Sequence, residues 1–215
     1  MNKLLSIALL TLVVAGCQQT QKQEEADVPQ VDPNAITCDG IGPVKLSYSY
    51  AALDSAVGAN NLENGTATVD GQTIHTTKVF PNEAEEITVY WAENKEPYTT
   101  ATKISIANNF GPYQTAEGLR VGSTLNEVKE YNNFMPITMS NFYNNIDGFA
   151  RIRSFNGGDI ETNYPCLTGK LDIIKQRAVD VRTLDEIKPQ AELKSSHKLF
   201  NALDVEVVEL SISAE

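Results

Sequence analysis

Two histidines, His75 and His197, are the side chains of this sequence best suited to general acid–base chemistry. A hydrolytic triad sets such an imidazole beside a nucleophile and an acid. His75 lies in a strand-like stretch, and His197 lies near a predicted helix start with no Gly-x-Ser-x-Gly turn nearby. We interpret both as ordinary surface or capping residues. The sequence therefore assigns no catalytic residue, metal site or cofactor, and it favours a protein that is not an enzyme.

An apolar run precedes the first of three cysteines. Residues 4–14 follow the positive start Met1-Asn2-Lys3, but as a helix they would reach only about 16 Å of a ~30 Å hydrocarbon core. The run thus predicts a signal peptide over residues 1–16. Its ending, Val13-Val14-Ala15-Gly16-Cys17, resembles a bacterial lipobox. The resemblance implies that Cys17 takes a diacylglyceryl group, becomes the amino terminus and anchors the chain to a membrane.

Residues 17–35 carry the lipidated Cys and then mostly Gln, Glu, Asp, Pro and Thr, which predicts a flexible tether. Gln18, directly after Cys17, is typical of lipoproteins sorted to the outer membrane. The segment Lys22-Gln23-Glu24-Glu25-Ala26-Asp27 resembles the surface-export signals of Bacteroidetes-type lipoproteins, or is simply a solvated part of the tether. We expect the outer membrane, on its periplasmic face or at the cell surface.

Cys38 and Cys166 remain as an even pair once Cys17 is lipidated. In an oxidising compartment such a pair forms a disulfide, the alternative being two free buried thiols. Zinc binding is not indicated, because neither histidine has ligand spacing to a cysteine.

The charge balance excludes one class of partner. The chain has 28 acidic and 17 basic side chains and a formal net charge of -11. Nucleic-acid binding needs clustered Lys and Arg, so we expect no nucleic-acid partner. With 41% hydrophobic residues the chain is long enough for a folded domain, which we place at residues 36–215.

Aromatic and Met side chains are concentrated in residues 131–143, among several asparagines. Such a mixture suits a recognition surface, although alternating members could equally fill the core of a strand. The candidate surface residues are Trp91, Phe134, Met139, Phe142 and Tyr143.

Two segments share an apolar pattern 75 residues apart, residues 44–53 and 119–128. Each begins with alternation and then changes to a three- or four-residue step, which predicts a short strand turning into a helix. Leu53 in the first copy matches Val128 in the second. Thr124 and Glu127 form a capping-box pattern that supports a helix start.

Strand-like runs follow each predicted helix, and a short helix is predicted at residues 197–203 with Ser195 or Ser196 as its cap. The runs cover residues 77–80, 86–91, 102–107, 135–140, 149–155, 171–176 and 205–213. This pattern predicts an α+β fold in which two tandem helix-plus-antiparallel-strand repeats, about 40–107 and 115–176, form one compact unit with a C-terminal helix and strand.

The repeat resembles that of beta-lactamase inhibitor proteins and of the SmpA/OmlA outer-membrane lipoproteins. The matching residues are Gly118-Leu119-Arg120-Val121-Gly122-Ser123-Thr124-Leu125-Asn126-Glu127-Val128. With its start at Gly40-Ile41-Gly42-Pro43, the domain also resembles uncharacterised lipoproteins of Bacteroidetes and other Gram-negative bacteria. The resemblance implies a fold but no characterised activity.

These features favour two functions over a third hypothesis, an enzyme of unrecognised type. The first is a non-enzymatic, lipid-anchored module of the cell envelope that binds another envelope protein through its sheet face or inter-strand loops. The alternative is a cell-surface lipoprotein that binds a small molecule or glycan on platforms such as Tyr90 and Trp91 or Phe142 and Tyr143.

Overall fold

A computed structural model describes residues 32–69 and 71–214 of this protein. The predicted signal peptide, the lipidation of Cys17 and most of the predicted tether lie outside these residues. Eleven strands occur in the described part of the chain. They are β1 Gly40–Ile41, β2 Val44–Lys45, β3 Leu62–Val69, β4 Gln72–Val79, β5 Ile87–Trp91, β6 Ala101–Ile106, β7 Thr138–Ser140, β8 Ala150–Ser154, β9 Leu167–Gln176, β10 Glu192–Lys194 and β11 Leu203–Ser213.

Nine of these strands form one antiparallel sheet in the order β10-β7-β8-β9-β11-β6-β5-β4-β3. The C-terminal strand β11 lies between β9 and β6 and so joins the two halves of the sheet. Strands β1 and β2 form a separate two-stranded hairpin. The architecture is therefore a large antiparallel sheet with few helices, which confirms the α+β prediction.

Within residues 32–69 and 71–214, four short helices accompany the sheet: α1 Tyr50–Val57, α2 Leu125–Tyr131, α3 Asp159–Asn163 and α4 Val181–Ile187. The predicted capping box starts α2, because the Glu127 backbone N–H donates to Thr124 Oγ1 at 3.2 Å and the Thr124 backbone N–H donates to Glu127 Oε2 at 2.7 Å. The hydrogen bonds that the Glu127 carboxylate accepts from the Thr124 backbone N–H and hydroxyl lower the pKa of Glu127. The helix predicted at residues 197–203 was wrong in extent: a 3₁₀ turn, Lys198–Asn201, occupies this place, with His197 as its cap.

One apolar cluster lies between the helices and one face of the sheet. Leu53 of α1 and Val128 of α2 both belong to it and have no exposed surface, so the prediction that both are buried is confirmed. Helix α1 precedes β3–β6, and α2 precedes β7–β9. The strands that follow α2 pair next with β11 in the sheet. Strand β11 lies beyond residue 176, where the second repeat is expected to end.

Replacing Leu53 or Val128 by Ala should lower the free energy of unfolding by about 2 to 4 kcal/mol, because each substitution leaves a cavity in a fully packed core. Urea denaturation of each variant beside the native protein measures the change. Glu130→Ala, on the exposed side of α2, is the control and should change stability by less than about 0.5 kcal/mol. Equal stability of the Leu53→Ala and Glu130→Ala variants would contradict the packing described here.

The disulfide between Cys38 and Cys166 is present, with its Cα atoms 5.6 Å apart. It links the loop before β1 to the residue that precedes β9. The two cysteines are 128 residues apart in sequence, so the bond ties the start of the domain to its second half.

Candidate functional site

Three of the five predicted surface residues are buried, which corrects that prediction. Trp91 is 2% exposed, and Met139 and Phe142 are also in the core. Trp91 occupies an inward position of β5, where residues alternate between buried and half-buried, and Met139 lies in β7 between two neighbouring strands. Within residues 131–143, Met139 and Phe142 therefore fill the core, as the alternative interpretation of this segment predicts.

Phe134 and Tyr143 are exposed, but they do not form one surface with the other candidates. Phe134 is 76% exposed and has a φ of 59°, in the left-handed region that a bulky side chain seldom adopts. It lines a cleft with Lys129 and Ser196. Tyr143 belongs to a 3₁₀ turn whose preceding residue, Asn141, donates hydrogen bonds to the carbonyls of Ile187 and Gln190.

An aromatic cluster explains why Trp91 is buried. The Trp91 ring stacks on that of Tyr98 with centroids 5.8 Å apart, and Tyr50 of α1 packs against both rings. The Trp91 indole N–H donates to Thr77 Oγ1 at 2.8 Å, and Tyr98 Oη lies 3.2 Å from His75 Nδ1. These contacts hold α1 against strands β4 and β5, so the cluster is part of the core and not an exposed platform.

The two histidines have separate environments. His75 contacts Tyr98, while His197 Nδ1 accepts a hydrogen bond from the Leu199 backbone N–H at 3.2 Å. Among the described residues neither imidazole is hydrogen-bonded to a Ser, Thr or Cys side chain, the pairing that an activated nucleophile needs.

The face of the sheet opposite the core is polar. Residues directly opposite on neighbouring strands share a face, and the pairs Thr88–Ser105, Ser105–Ser211 and Ser211–Thr168 put four hydroxyl side chains in one row. The row crosses β5, β6, β11 and β9. This alternation of polar residues with buried Val, Ile and Leu is what separates the two faces.

This polar face is strongly curved. A cleft of about 700 Å³ is lined by Thr68 and Gly71 of the β3–β4 hairpin together with residues 144–147, Arg151 and Arg153. Five strands separate β3 from β8, which in a flat sheet would place them about 29 Å apart. The sheet must therefore coil around its polar side, which makes that side concave.

We call this surface the concave face. It consists of Thr76, Thr88, Tyr90, Lys103, Ser105, Arg151, Arg153, Thr168, Lys170, Glu209, Ser211 and Ser213. A second cleft, of about 340 Å³, adjoins its other end and shares Arg153, Thr168 and Ser213 with it. The concave face is the candidate functional site.

Charged side chains lie across the middle of the concave face. Glu209 contacts two lysines, with Lys170 Nζ 2.6 Å from Oε2 and Lys103 Nζ 3.4 Å from Oε1. Lys103 Nζ also lies 4.0 Å from the ring centroid of Tyr90, a cation–π contact. The three contacts link strands β5, β6, β11 and β9 at one point.

Arg151 on β8 is a further charged residue of the concave face, and its Nη2 lies 2.6 Å from Asp147 Oδ2. Partial burial alone would raise the pKa of Asp147, but hydrogen bonds from Arg151 and the Phe149 backbone, with the charges of Arg151 and Lys170, hold that pKa below its ordinary value. Asp147 is thus ionised at neutral pH. Arg153, two residues along the strand, is exposed.

Sequence reasoning missed these residues as a site. The usable signal was the alternation in β11, where Glu209, Ser211 and Ser213 interleave with Leu210 and Ile212. Assigning the other residues of the face required the strand order, since they come from strands that are far apart in sequence.

Comparison with known proteins identifies a lipid attachment site at the start of the sequence. Residues 1–18 match the prokaryotic membrane lipoprotein lipid attachment site, and no curated protein matches the sequence. The crystal structure of the uncharacterized protein yfeY from Escherichia coli is similar with a TM-score of 0.48 and 12% identity, over 84% of this chain and 99% of that one. The attachment site makes this protein a bacterial lipoprotein, held to a membrane of the cell envelope by lipid. No helix in the described part of the chain is long and apolar enough to cross a bilayer.

Cys17→Ser should abolish the anchor, because Ser lacks the thiol that receives the diacylglyceryl group. Several acyl chains anchor a protein at about 0.8 kcal/mol per buried methylene, so the variant should move from the detergent phase to the aqueous phase in Triton X-114 partitioning. The matched control, Gln18→Ala, should stay with the detergent. A Cys17→Ser protein that is cleaved and bound to membranes like the native one would contradict the attachment site.

Proposed function

We propose that this lipoprotein is a non-enzymatic protein-binding module whose concave face receives a partner in the cell envelope. The observation that carries the proposal is a curved polar sheet face on the side away from the core. The opposite face packs against the helices. On the concave face Ser105 and Ser211 are buried, but Thr88, Thr168, Lys103 and Lys170 are partly exposed and Arg153 is exposed. These accessible residues suit a polar interface.

The shape of the face favours a protein over a small ligand. Small-molecule sites are usually deep, largely apolar pockets with a few polar groups. The cleft of about 700 Å³ is instead lined mostly by Thr, Asn, Asp and Arg side chains. A glycan platform on the concave face would need an exposed aromatic ring there, but Trp91 is buried and Lys103 lies over Tyr90. The exposed rings of Phe134 and Tyr143 lie in separate turns outside this face. The glycan-binding alternative therefore has less support.

The lipid anchor supports a partner within the envelope. Tethering keeps the domain near one membrane, so the effective concentration of any protein in that membrane is raised. Gln18 after Cys17 supports placement in the outer membrane, which separation of the two membranes on a sucrose gradient would test.

We also infer that the domain is built from two helix-plus-strand repeats. The support is the equivalent burial of Leu53 and Val128 and the run of antiparallel strands after each of α1 and α2. The inference concerns the architecture, and the binding proposal does not depend on it.

Photo-cross-linking in native membranes tests the proposed function. Benzoylphenylalanine at Thr88 or Thr168, both on the concave face, should give an adduct of defined mass with an envelope protein. The same probe at Asp185, exposed on α4, should not give that adduct. Absence of adducts from both concave positions, or the same adduct from Asp185, would contradict binding through this face.

A further inference from the structure

Between β6 and β8 the concave face carries more positive than negative charge, although the whole chain has a net charge of -11. From β6 to β8 it presents four cations, Lys103, Lys170, Arg151 and Arg153. Two carboxylates contact them, those of Glu209 and Asp147. This positive region is local, because the chain as a whole is acidic.

An acidic pair bounds the positive region on one side. Asp172 and Glu206 lie directly opposite each other on β9 and β11, beyond a β-bulge that separates them from Lys170 and Glu209. Like charges in this position repel. The face thus divides into a basic stretch of four strands and an acidic end, a pattern that orients a charged partner.

The ion pairs within the concave face do not neutralise all of its cations. Glu209 is shared by two lysines, so one carboxylate balances two ammonium groups. Arg153 is exposed and lines both clefts. The guanidinium group of Arg153 can receive a carboxylate with two parallel hydrogen bonds.

We propose that the basic stretch of the concave face binds an extended, carboxylate-rich segment of a partner protein. The proposal rests on the proposed function, since it names the chemistry of the partner at that same face. From β8 to β6 the stretch spans three strand spacings, about 14 Å. An extended chain covers this distance in four to five residues. Alternate side chains of such a segment would face the sheet and place two or three carboxylates among the four cations.

The curvature distinguishes this partner from an anionic membrane surface. Bilayers are flat on the scale of one domain, and the cationic groups lie on the concave side of the sheet, one of them, Arg153, between two clefts. A flat array of phosphates could not contact all four cations together. A narrow peptide segment can enter the cleft and reach them.

The test uses the full-length lipidated protein in non-ionic detergent and two fluorescein-labelled probes, hexaglutamate and hexaglutamine. Anisotropy should show binding of hexaglutamate that weakens as salt is added, as for charge-driven contacts, and no binding of hexaglutamine. Arg151→Gln with Arg153→Gln should weaken hexaglutamate binding by at least about tenfold. The matched control, Arg120→Gln with Arg182→Gln, removes the same charge elsewhere and should leave the affinity unchanged.

Arg153→Glu provides an independent variant, because its exposed side chain can be replaced with little effect on folding. It should also weaken hexaglutamate binding. Failure of hexaglutamate to bind, or equal losses in the control pair, would overturn the acidic-segment proposal while cross-links from Thr88 could still support binding through the face. Binding through these arginines to phosphatidylglycerol vesicles, without binding to hexaglutamate, would overturn it in favour of a membrane surface.

Discussion

Serine at both Cys38 and Cys166 should lower the free energy of unfolding by about 4 to 5 kcal/mol. The disulfide joins residues 128 positions apart, and a cross-link closing a loop of this length removes a large amount of entropy from the unfolded chain, worth up to about 5 kcal/mol. Domains of this kind are stable by only about 5 to 15 kcal/mol. Urea denaturation at 25 °C of native and doubly substituted protein measures the difference.

Native protein treated with a reducing agent is the control for the serine side chains themselves. It should unfold at the same urea concentration as the double variant. A loss below about 1 kcal/mol in both samples would contradict a stabilising role of the disulfide.

Asn132→Ala should destabilise the domain by about 3 to 5 kcal/mol. Asn132 has no exposed surface; its Nδ2 donates to the carbonyls of Phe155 (2.7 Å) and Met135 (3.1 Å), and its Oδ1 accepts from the Ile160 N–H at 3.2 Å. Alanine leaves these backbone groups without partners. Each buried backbone group that loses its hydrogen bond lowers the free energy of unfolding by about 1 to 3 kcal/mol. Thermal and urea unfolding of the variant measure the cost.

Gly158 offers a second way to disturb the same contact. A Cβ atom at Gly158 would lie 2.2 Å from Asn132 Oδ1, so Gly158→Ala should also destabilise the fold. Asn126→Ala, on an exposed position of α2, should not. Native-like stability of Asn132→Ala would show that Asn132 does not hold the end of α2 to the turn before α3.

Local signals in the sequence predicted several elements correctly. The capping residues Thr124 and Glu127 act within one helical turn, and the apolar alternation of residues 205–213 is a property of the strand itself. The pairing of Cys38 with Cys166 followed from an even number of cysteines in an oxidising compartment. None of these predictions needed knowledge of distant contacts.

Other features depend on long-range packing. Alternation shows that Tyr90 and Trp91 point to opposite sides of β5, but it does not show which side is the core. The prediction of Trp91 as a surface residue is wrong for this reason. Strand β3 is polar and half-exposed at the sheet edge, and it lacks the apolar period that reveals a strand. The concave face itself follows from β11 pairing with both β9 and β6 and from the coiling of the sheet.

Lysine acetylation in native membranes tests most directly whether a partner occupies the concave face. Lys103 and Lys170 are about one quarter exposed and can react in the purified lipidated protein. We predict that mass spectrometry will show a several-fold lower rate of acetylation at both residues in native membranes, whereas the exposed Lys95 and Lys188 react equally in the two samples. Equal reactivity of Lys103 and Lys170 in membranes and in purified protein would contradict the account.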